Sequence, residues 1–231
     1  MTSTPDAGRR VTGPLKTWYD LHEALGHEVR ALADLAAGLT ADGVDTYAPR
    51  FGAFDAELRN HSEVEDGIMF PAILTAGGTV PDHLHAEHRD EQLRVYEVGA
   101  AVMAARGRRD ASSLGALAPL TATLRDGLLQ HLQAEEDEVL GQVDQLFTAD
   151  QQSQILRTII ASMPPDPRMQ PWVAAALTPE HLEARLRNMA TSLGHDALVG
   201  VLTQIHDGVD AATWAEVEAR TPDLAALVRS S

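Results

Sequence analysis

Two segments of the sequence, HSEVE and HLQAE, place a histidine four residues before a glutamate within a long helical pattern. At roughly 100° per residue, His61 and Glu65 fall close to the centre of the apolar stripe of their helix. His131 and Glu135 take the same place on theirs. An unpartnered carboxylate is costly to bury. We therefore expect both pairs to point into a helical core in which another group partners the two glutamates.

The chain between residues 15 and 147 carries four long helical patterns, separated by segments that contain helix breakers. We expect the helices at residues 15–39, 51–70, 81–105 and 114–147. The second should end near Pro71. Four helices of such length predict an all-α fold, an up-down four-helix bundle. Residues 1–14 lack periodicity and predict a mobile tail, and the shorter amphipathic pieces of residues 148–231 predict a C-terminal helical extension.

Composition excludes several kinds of site and partner. The chain has no cysteine, so disulfides and thiolate metal sites are excluded, and any transition metal must be held by histidine and carboxylate side chains. Its formal net charge of -16 at pH 7 repels nucleic acid and anionic membranes. The N-terminus lacks the apolar core of a signal peptide, and no stretch reaches the length of a membrane span. We therefore expect a cytoplasmic protein without nucleic acid or membrane partners.

The direction of each side chain relative to the apolar stripe of its helix shows which of the other histidines should face the core. In the third helix His88 lies near the centre of the apolar stripe and Glu91 also faces inward, whereas His85 is turned aside. In the first helix His22 lies on the flank of the stripe and His27 lies near the opposite side. We therefore expect His88 and His22 to complete the inner walls of the bundle, and leave a contribution from the other three open.

Two further histidine–acid pairs have the same spacing, His83/Glu87 on the third helix and His206/Asp210 in the extension. Both lie roughly 60° to 120° from the apolar stripes of their helices. Most such pairs are surface pairs of small energy. We interpret both as exposed to solvent.

The two HxxxE segments belong to a repeat. Residues 61–73 and 131–143 align histidine with histidine, glutamate with glutamate and apolar with apolar positions, and the first and third helices align on their inner histidines. Ligands from facing helices converge in a bundle core. Four imidazoles and two carboxylates suit two mid-series divalent metals, with the carboxylates free to bridge. The predicted ligands are His22, His61, Glu65, His88, His131 and Glu135.

The segments LRNHSEVEDGIMFPAI, AEHRDEQL and LLQHLQAEEDEVL resemble the second, third and fourth helices of the hemerythrin-like (HHE cation-binding) family, over roughly residues 15–147. The resemblance implies a non-haem di-iron centre held by the six predicted ligands, with manganese or a mixed metal pair as alternatives. Oxygen-carrying hemerythrins have a fifth ligand histidine, four residues before the one matched by His88, and here that residue is Leu84. A coordination position that is open, or taken by water or Glu91, argues against simple reversible O2 carriage.

Two classes of function follow. The first, which the resemblance favours slightly, is binding of O2, NO or iron for sensing, storage or protection against oxidative stress. The second is a di-iron enzyme, an oxidase, peroxidase or catalase-like activity that uses O2 or H2O2, with an organic substrate under the C-terminal extension. The missing histidine and the inward Glu91, as a ligand or proton shuttle, support this class. Whether the protein is an enzyme stays open, and the extension also offers a surface for a homodimer.

Overall fold

The computed structural model describes residues 11–163 and 166–229, and within these ranges the chain forms helices and no β-strand. The α-helices are α1 Thr17–Ala37, α2 Val44–Val64, α3 Phe70–Thr75, α4 Asp82–Arg108, α5 Ala111–Gly115, α6 Leu117–Glu138, α7 Val143–Leu146, α8 Ala149–Ser162, α9 Met169–Ala176, α10 Pro179–Ser192, α11 His195–Gly208, α12 Ala211–Arg220 and α13 Pro222–Arg229. Short 3-10 helices cover Pro14–Lys16 and Leu140–Gln142. The predicted all-α class, a helical bundle with C-terminal helices, is confirmed.

The chain divides into two compact units. One unit is Leu25–Leu140, which we call the bundle unit, and the other contains the described residues before Leu25 and after Leu140. The sequence predicts a tail, a bundle and an extension at residues 1–14, 15–147 and 148–231, which are other boundaries than those of the two units. This division stays a prediction.

The bundle unit is held together by apolar stripes on its long helices. Helix α4 packs against both α2 and α6. Every third or fourth residue of α4 is buried, and the same spacing is found on the facing sides of α2 and α6. Two polar links add to this core: the Arg50 guanidinium donates to the Glu28 carboxylate, and the hydroxyls of Tyr47 and Thr121 are 2.8 Å apart. The stripes therefore fix which face of each helix turns inward.

The second helix differs from its prediction at both ends. It begins at Val44, and the helical path continues past Pro71. Pro71 lies in the first turn of α3, where the missing N–H breaks no hydrogen bond. A π-helical turn, Glu65–Met69, joins α2 to α3, and the Phe70 N–H donates to the Glu65 carbonyl five residues earlier. A π turn holds one extra residue. The buried positions at its end and after it are Met69, Phe70 and Ile73.

The fourth helix is shorter than predicted. Helix α6 ends at Glu138, and the short helices Leu140–Gln142 and Val143–Leu146 follow it. The third helix runs slightly further than predicted, to Arg108, where Arg109 adopts a left-handed conformation with φ of 51° and its N–H caps the Ala105 carbonyl. These differences lie outside the ligand-bearing turns, so they leave the predicted inner faces unchanged.

The other unit contains the helices that follow residue 140. The predicted capping box at Thr148 and Gln151 begins α8, and Thr178 caps α10 by accepting from the His181 N–H. Residues 1–10 of the predicted tail lie outside the described residues. Further along, the Thr12 hydroxyl donates to Asp144 at 2.6 Å, and Val11 is buried. Among the described residues, no helix has the length and apolar character needed to cross a membrane.

Candidate metal centre

Five of the six predicted ligands lie in the bundle unit and turn their side chains to one point. They come from α2, the π turn, α4 and α6, and each is at most 2% exposed: His61, Glu65, His88, His131 and Glu135. One ligand atom from each of the last four lies within 4.8 Å of the others. The helical periodicity thus predicted their direction correctly, while their binding of a metal stays a prediction.

Glu65 lies between the two histidines of α2 and α4. Its Oε2 atom is 3.2 Å from His61 Nε2 and 3.2 Å from His88 Nε2. The i,i+4 spacing on one helix brings the first histidine to it, and packing of α4 against α2 brings the second. One carboxylate oxygen thus faces imidazole nitrogens from two helices.

Glu135 has its two oxygens directed to different histidines. Its Oε2 is 3.7 Å from His61 Nε2, whereas its Oε1 is 3.4 Å from His131 Nε2 and 3.7 Å from His88 Nε2. A carboxylate with this arrangement can bind one cation through each oxygen. The geometry is therefore compatible with a bridging glutamate between two metals.

The spacing of these atoms fits a shared cation better than a network of hydrogen bonds. Two ligand atoms that are each about 2.1 Å from a metal lie about 3.0 Å apart at a right angle and about 3.4 Å apart at the tetrahedral angle. The Nε2 atoms of His88 and His131 are buried and have no hydrogen-bond partner among the described residues. Leaving such atoms unpartnered costs about 1–3 kcal/mol each. A metal ion that binds both nitrogens removes this cost.

Two carboxylates outside the cluster orient its histidines. Asp66 Oδ1 is 3.1 Å from His88 Nδ1, and Glu87 Oε2 is 2.8 Å from His131 Nδ1. A carboxylate accepts hydrogen bonds, so Nδ1 of each ring donates to it, and Nε2 is the ring nitrogen that faces the centre. This is the pairing that metal-binding histidines commonly show.

Neither of these carboxylates was predicted as a site residue. Glu87 was interpreted as half of an exposed pair with His83, but it is only partly exposed and contacts His131, whereas His83 is exposed and lies 3.5 Å from Glu138. Its position directly before His88 is the one sequence signal that could have indicated it. Asp66 likewise follows Glu65 directly.

The cluster carries negative charge that the protein must balance. Burial raises the pKa of Glu135, but His61 and His88 beside it hold that pKa well below its usual range. Burial lowers the pKa of His88, yet Glu135 and Glu65 raise it to about 11 overall. Glu135 therefore stays ionised, and a cation beside it is stabilised, whether it is a proton on an imidazole or a metal ion.

Glu91 is an additional buried acid on α4, as its inward direction predicted. It is 1% exposed, and both of its carboxylate oxygens lack a hydrogen-bond partner among the described residues. Burial raises its pKa to about 7, although His131 and His88 act in the opposite direction. It is absent from the groups of close ligand atoms found in the described residues. The charges of His88 and His131 thus influence Glu91, although Glu91 is not one of the converging ligands.

The remaining histidines have different surroundings. His22 is buried on α1, and its role as a ligand stays a prediction. His27 is exposed. The Nδ1 atom of His85 is 2.7 Å from Asp66 Oδ1, so this histidine contacts the carboxylate that orients His88. In the C-terminal helices, His206 is exposed as predicted.

Comparison with known proteins agrees with this geometry. The family model for the hemerythrin HHE cation binding domain matches residues 13–143, which is more than half of the chain. A search of curated proteins and a search of solved structures each found no match. The matched range contains all the converging side chains and both carboxylates that orient them. The chain therefore belongs to the hemerythrin HHE cation-binding domain family.

Proposed function

We propose that the protein binds two iron ions in the bundle unit and uses them to bind O2 or NO, or to hold iron itself, for sensing, storage or protection against oxidative stress. The observation that carries this proposal is the position of Glu65 and Glu135 between imidazoles from three helical segments. Imidazole and carboxylate ligands together suit iron, with manganese or a mixed pair as alternatives. When bound, the metals supply redox chemistry and open coordination positions.

The arrangement of nitrogens supports two ions rather than one. His61 meets the cluster on one side, and His88 and His131 meet it on the other, with their ring centroids 4.7 Å apart. The carboxylates lie between these two sides, so each can bridge. His22 as a sixth ligand stays part of the prediction. A single closed structural site would need only four ligands.

The surroundings keep the histidines in place. The ring of Phe70 stacks on His88 with centroids 5.8 Å apart and planes 3° from parallel. Asp66 and Glu87 hold the rings by their outer nitrogens. The protein thus supplies a rigid, buried set of ligands whose orientation does not depend on the metal.

Anaerobic titration with Fe(II), followed by O2 or H2O2 while the visible spectrum is recorded, tests the proposal. We expect two equivalents of iron to bind. A reversible oxygenated species would support O2 binding, and irreversible oxidation would support a sensor or store. Absence of iron binding would refute the proposal.

Substitution separates the predicted ligands from other histidines. The double variant His131→Ala/Glu135→Ala should lose tight binding of the second iron equivalent. The variant His206→Ala, which removes an exposed histidine of α11, is the matched control and should keep both equivalents. Two-iron stoichiometry in the double variant would show that the ligand assignment is wrong.

A second candidate function is a di-iron enzyme, an oxidase, peroxidase or catalase-like activity. One observation favours it: a cavity of about 630 Å³ is lined by residues of α2 and α4, Glu91 among them. Its lining lies within the bundle unit and includes no residue of the C-terminal extension, under which the organic substrate was predicted. Sustained turnover of H2O2 in the same experiment would favour the enzyme. The cytoplasmic location and a homodimer stay predictions.

A further inference from the structure

The cavity between α2 and α4 is a long groove. Its lining residues on α2 run from Ala48 to Ser62 and those on α4 from Glu91 to Arg106, so it follows about four helical turns, or roughly 21 Å. Small residues are part of its lining, namely Ala48, Gly99 and Ala100. A Cβ atom on Gly99 would meet only Phe51, at 3.8 Å. The groove is therefore open space rather than a packing defect in the core.

Apolar side chains form much of the groove, and Asp55, Arg59, Gln92 and Arg106 also line it. Phe51, Leu58 and Val95 form its base, and Tyr96 and Met103 line it although they are 75% and 66% exposed. Large apolar side chains exposed along a groove are typical of a binding surface. A volume of about 630 Å³ lies within the usual range for a site that takes a small molecule.

One end of the groove lies beside the metal centre and is polar. Ser62 follows His61 on α2, and Glu91 lies about one turn after His88 on α4, and both residues line the groove. The Ser62 hydroxyl donates to the Leu58 carbonyl, whereas the two oxygens of Glu91 accept no hydrogen bond within the described residues. A buried carboxylate without a donor is costly. Glu91 at this end of the groove therefore lacks a hydrogen-bond donor among the described residues.

The charges at the Glu91 end of the groove select among possible ligand heads. A carboxylate head would be repelled by Glu91 and by the glutamates of the metal centre, and an ammonium head would need a second buried charge next to bound metal cations. A hydrocarbon would leave Glu91 without a donor. A neutral hydroxyl supplies the donor at the smallest desolvation cost.

We propose that the groove binds an elongated, neutral, apolar molecule whose terminal hydroxyl donates a hydrogen bond to Glu91. This site is beyond the metal ligands and gives the proposed centre an organic ligand of defined class, an alcohol or phenol with an apolar body. It rests on the proposed function only in that the hydroxyl end lies next to the metals.

Calorimetric titration of the iron-loaded protein tests the site with 4-butylphenol as the probe. Two analogues change the head of the probe: 4-butylanisole carries a methyl group in place of the hydroxyl hydrogen and cannot donate, and 4-butylbenzoate has an anionic head. At about pH 8, above the raised pKa of Glu91, we expect the phenol to bind about 10- to 100-fold more tightly than the anisole, the range of a hydrogen bond to an ionised acceptor. The benzoate should bind more weakly still.

Two variants locate the site. Gly99→Leu fills the groove from α4 and should weaken phenol binding at least 10-fold. Gly107→Leu is its control on the same helix, because nothing lies within 4 Å of Gly107 and it does not line the groove. Glu91→Gln keeps the shape and should reduce the advantage of the phenol over the anisole.

The outcomes are distinct. Equal affinity for phenol and anisole, stronger binding of the benzoate, absence of phenol binding, or unchanged binding in Gly99→Leu would each overturn the proposal. Iron stoichiometry is measured on the same samples. Loss of two-iron binding would be a failure of the proposed function, whereas loss of phenol binding at full iron content would be a failure of the groove site alone.

Discussion

The hydrogen bond between Glu87 and His131 offers a sharp test of how the protein tunes its centre. Glu87 Oε2 is 2.8 Å from His131 Nδ1, and its side chain is 29% exposed. We predict that Glu87→Ala lowers the affinity for the metal bound through His131, because the ring loses the acceptor that fixes its tautomer and orientation.

The magnitude follows from the kind of bond and from its exposure. A hydrogen bond to a charged group contributes about 1.5–3 kcal/mol when buried. Because Glu87 is partly exposed, we expect the binding free energy of the metal to weaken by about 1.4 kcal/mol, which is a tenfold lower affinity. This is the smallest effect usual for carboxylates that orient a metal-binding histidine. Glu87→Gln should lose about threefold or less, since the amide oxygen accepts the same hydrogen bond.

Competition with a chelator under anaerobic conditions measures these affinities. Glu138→Ala is the matched control for charge, because it removes another acid near α4, one that lies 3.5 Å from His83. Equal losses in Glu87→Ala and Glu138→Ala would mean that charge alone acts. A loss in Glu87→Gln as large as in Glu87→Ala would also refute the reasoning.

Three further predictions concern stability. Removing the metals with a chelator should lower the melting temperature, because a site held at 100 times its Kd contributes about 2.7 kcal/mol, and calorimetry with and without metal measures this. Thr148→Ala breaks the capping box with Gln151 and should cost about 1 kcal/mol in urea unfolding. Burial raises the pKa of Asp144, but hydrogen bonds from Thr12 and Gln152 lower it more, so its folded pKa lies below the usual value. Its stabilising effect is complete above the unfolded-state pKa and is lost as pH falls through the folded one, so the stability difference between the wild type and Asp144→Asn should shrink below about pH 4.

Much of the centre could be predicted because helical direction is a local property. The angle of His61, His131 or Glu91 from an apolar stripe follows from residue spacing alone, and all three are buried as expected. The orienting carboxylates could not be predicted in this way. Asp66 and Glu87 reach imidazoles on other helices, and contacts of 2.8 to 3.1 Å depend on how closely those helices pack, which a helical wheel does not describe.

The π turn could not be predicted either, and it shifts the buried positions that follow Glu65. A regular α-helix would place Ile68, Met69 and Ala72 on the apolar stripe, whereas Met69, Phe70 and Ile73 are the buried residues. One residue inserted into a regular α-helix would rotate the following segment by about 100°. A π turn holds the additional residue within its wider turn, so the following segment keeps its direction. The extra residue is therefore compensated within the turn.

Deletion of one residue tests this account of the turn. Removing Gly67 should convert the turn to regular α-helix and leave Phe70 on the same face as Glu65, four residues away instead of five, so the protein should fold and keep Ile73 buried. Removing Gly52 from the regular part of α2 is the matched control, because neither glycine has an atom within 4 Å of its Cβ position. That deletion turns one part of the helix by about 100° relative to the other, so it should abolish the folded state or iron binding. Equal damage from both deletions, measured by circular dichroism and iron stoichiometry, would show that the extra residue is required by the fold.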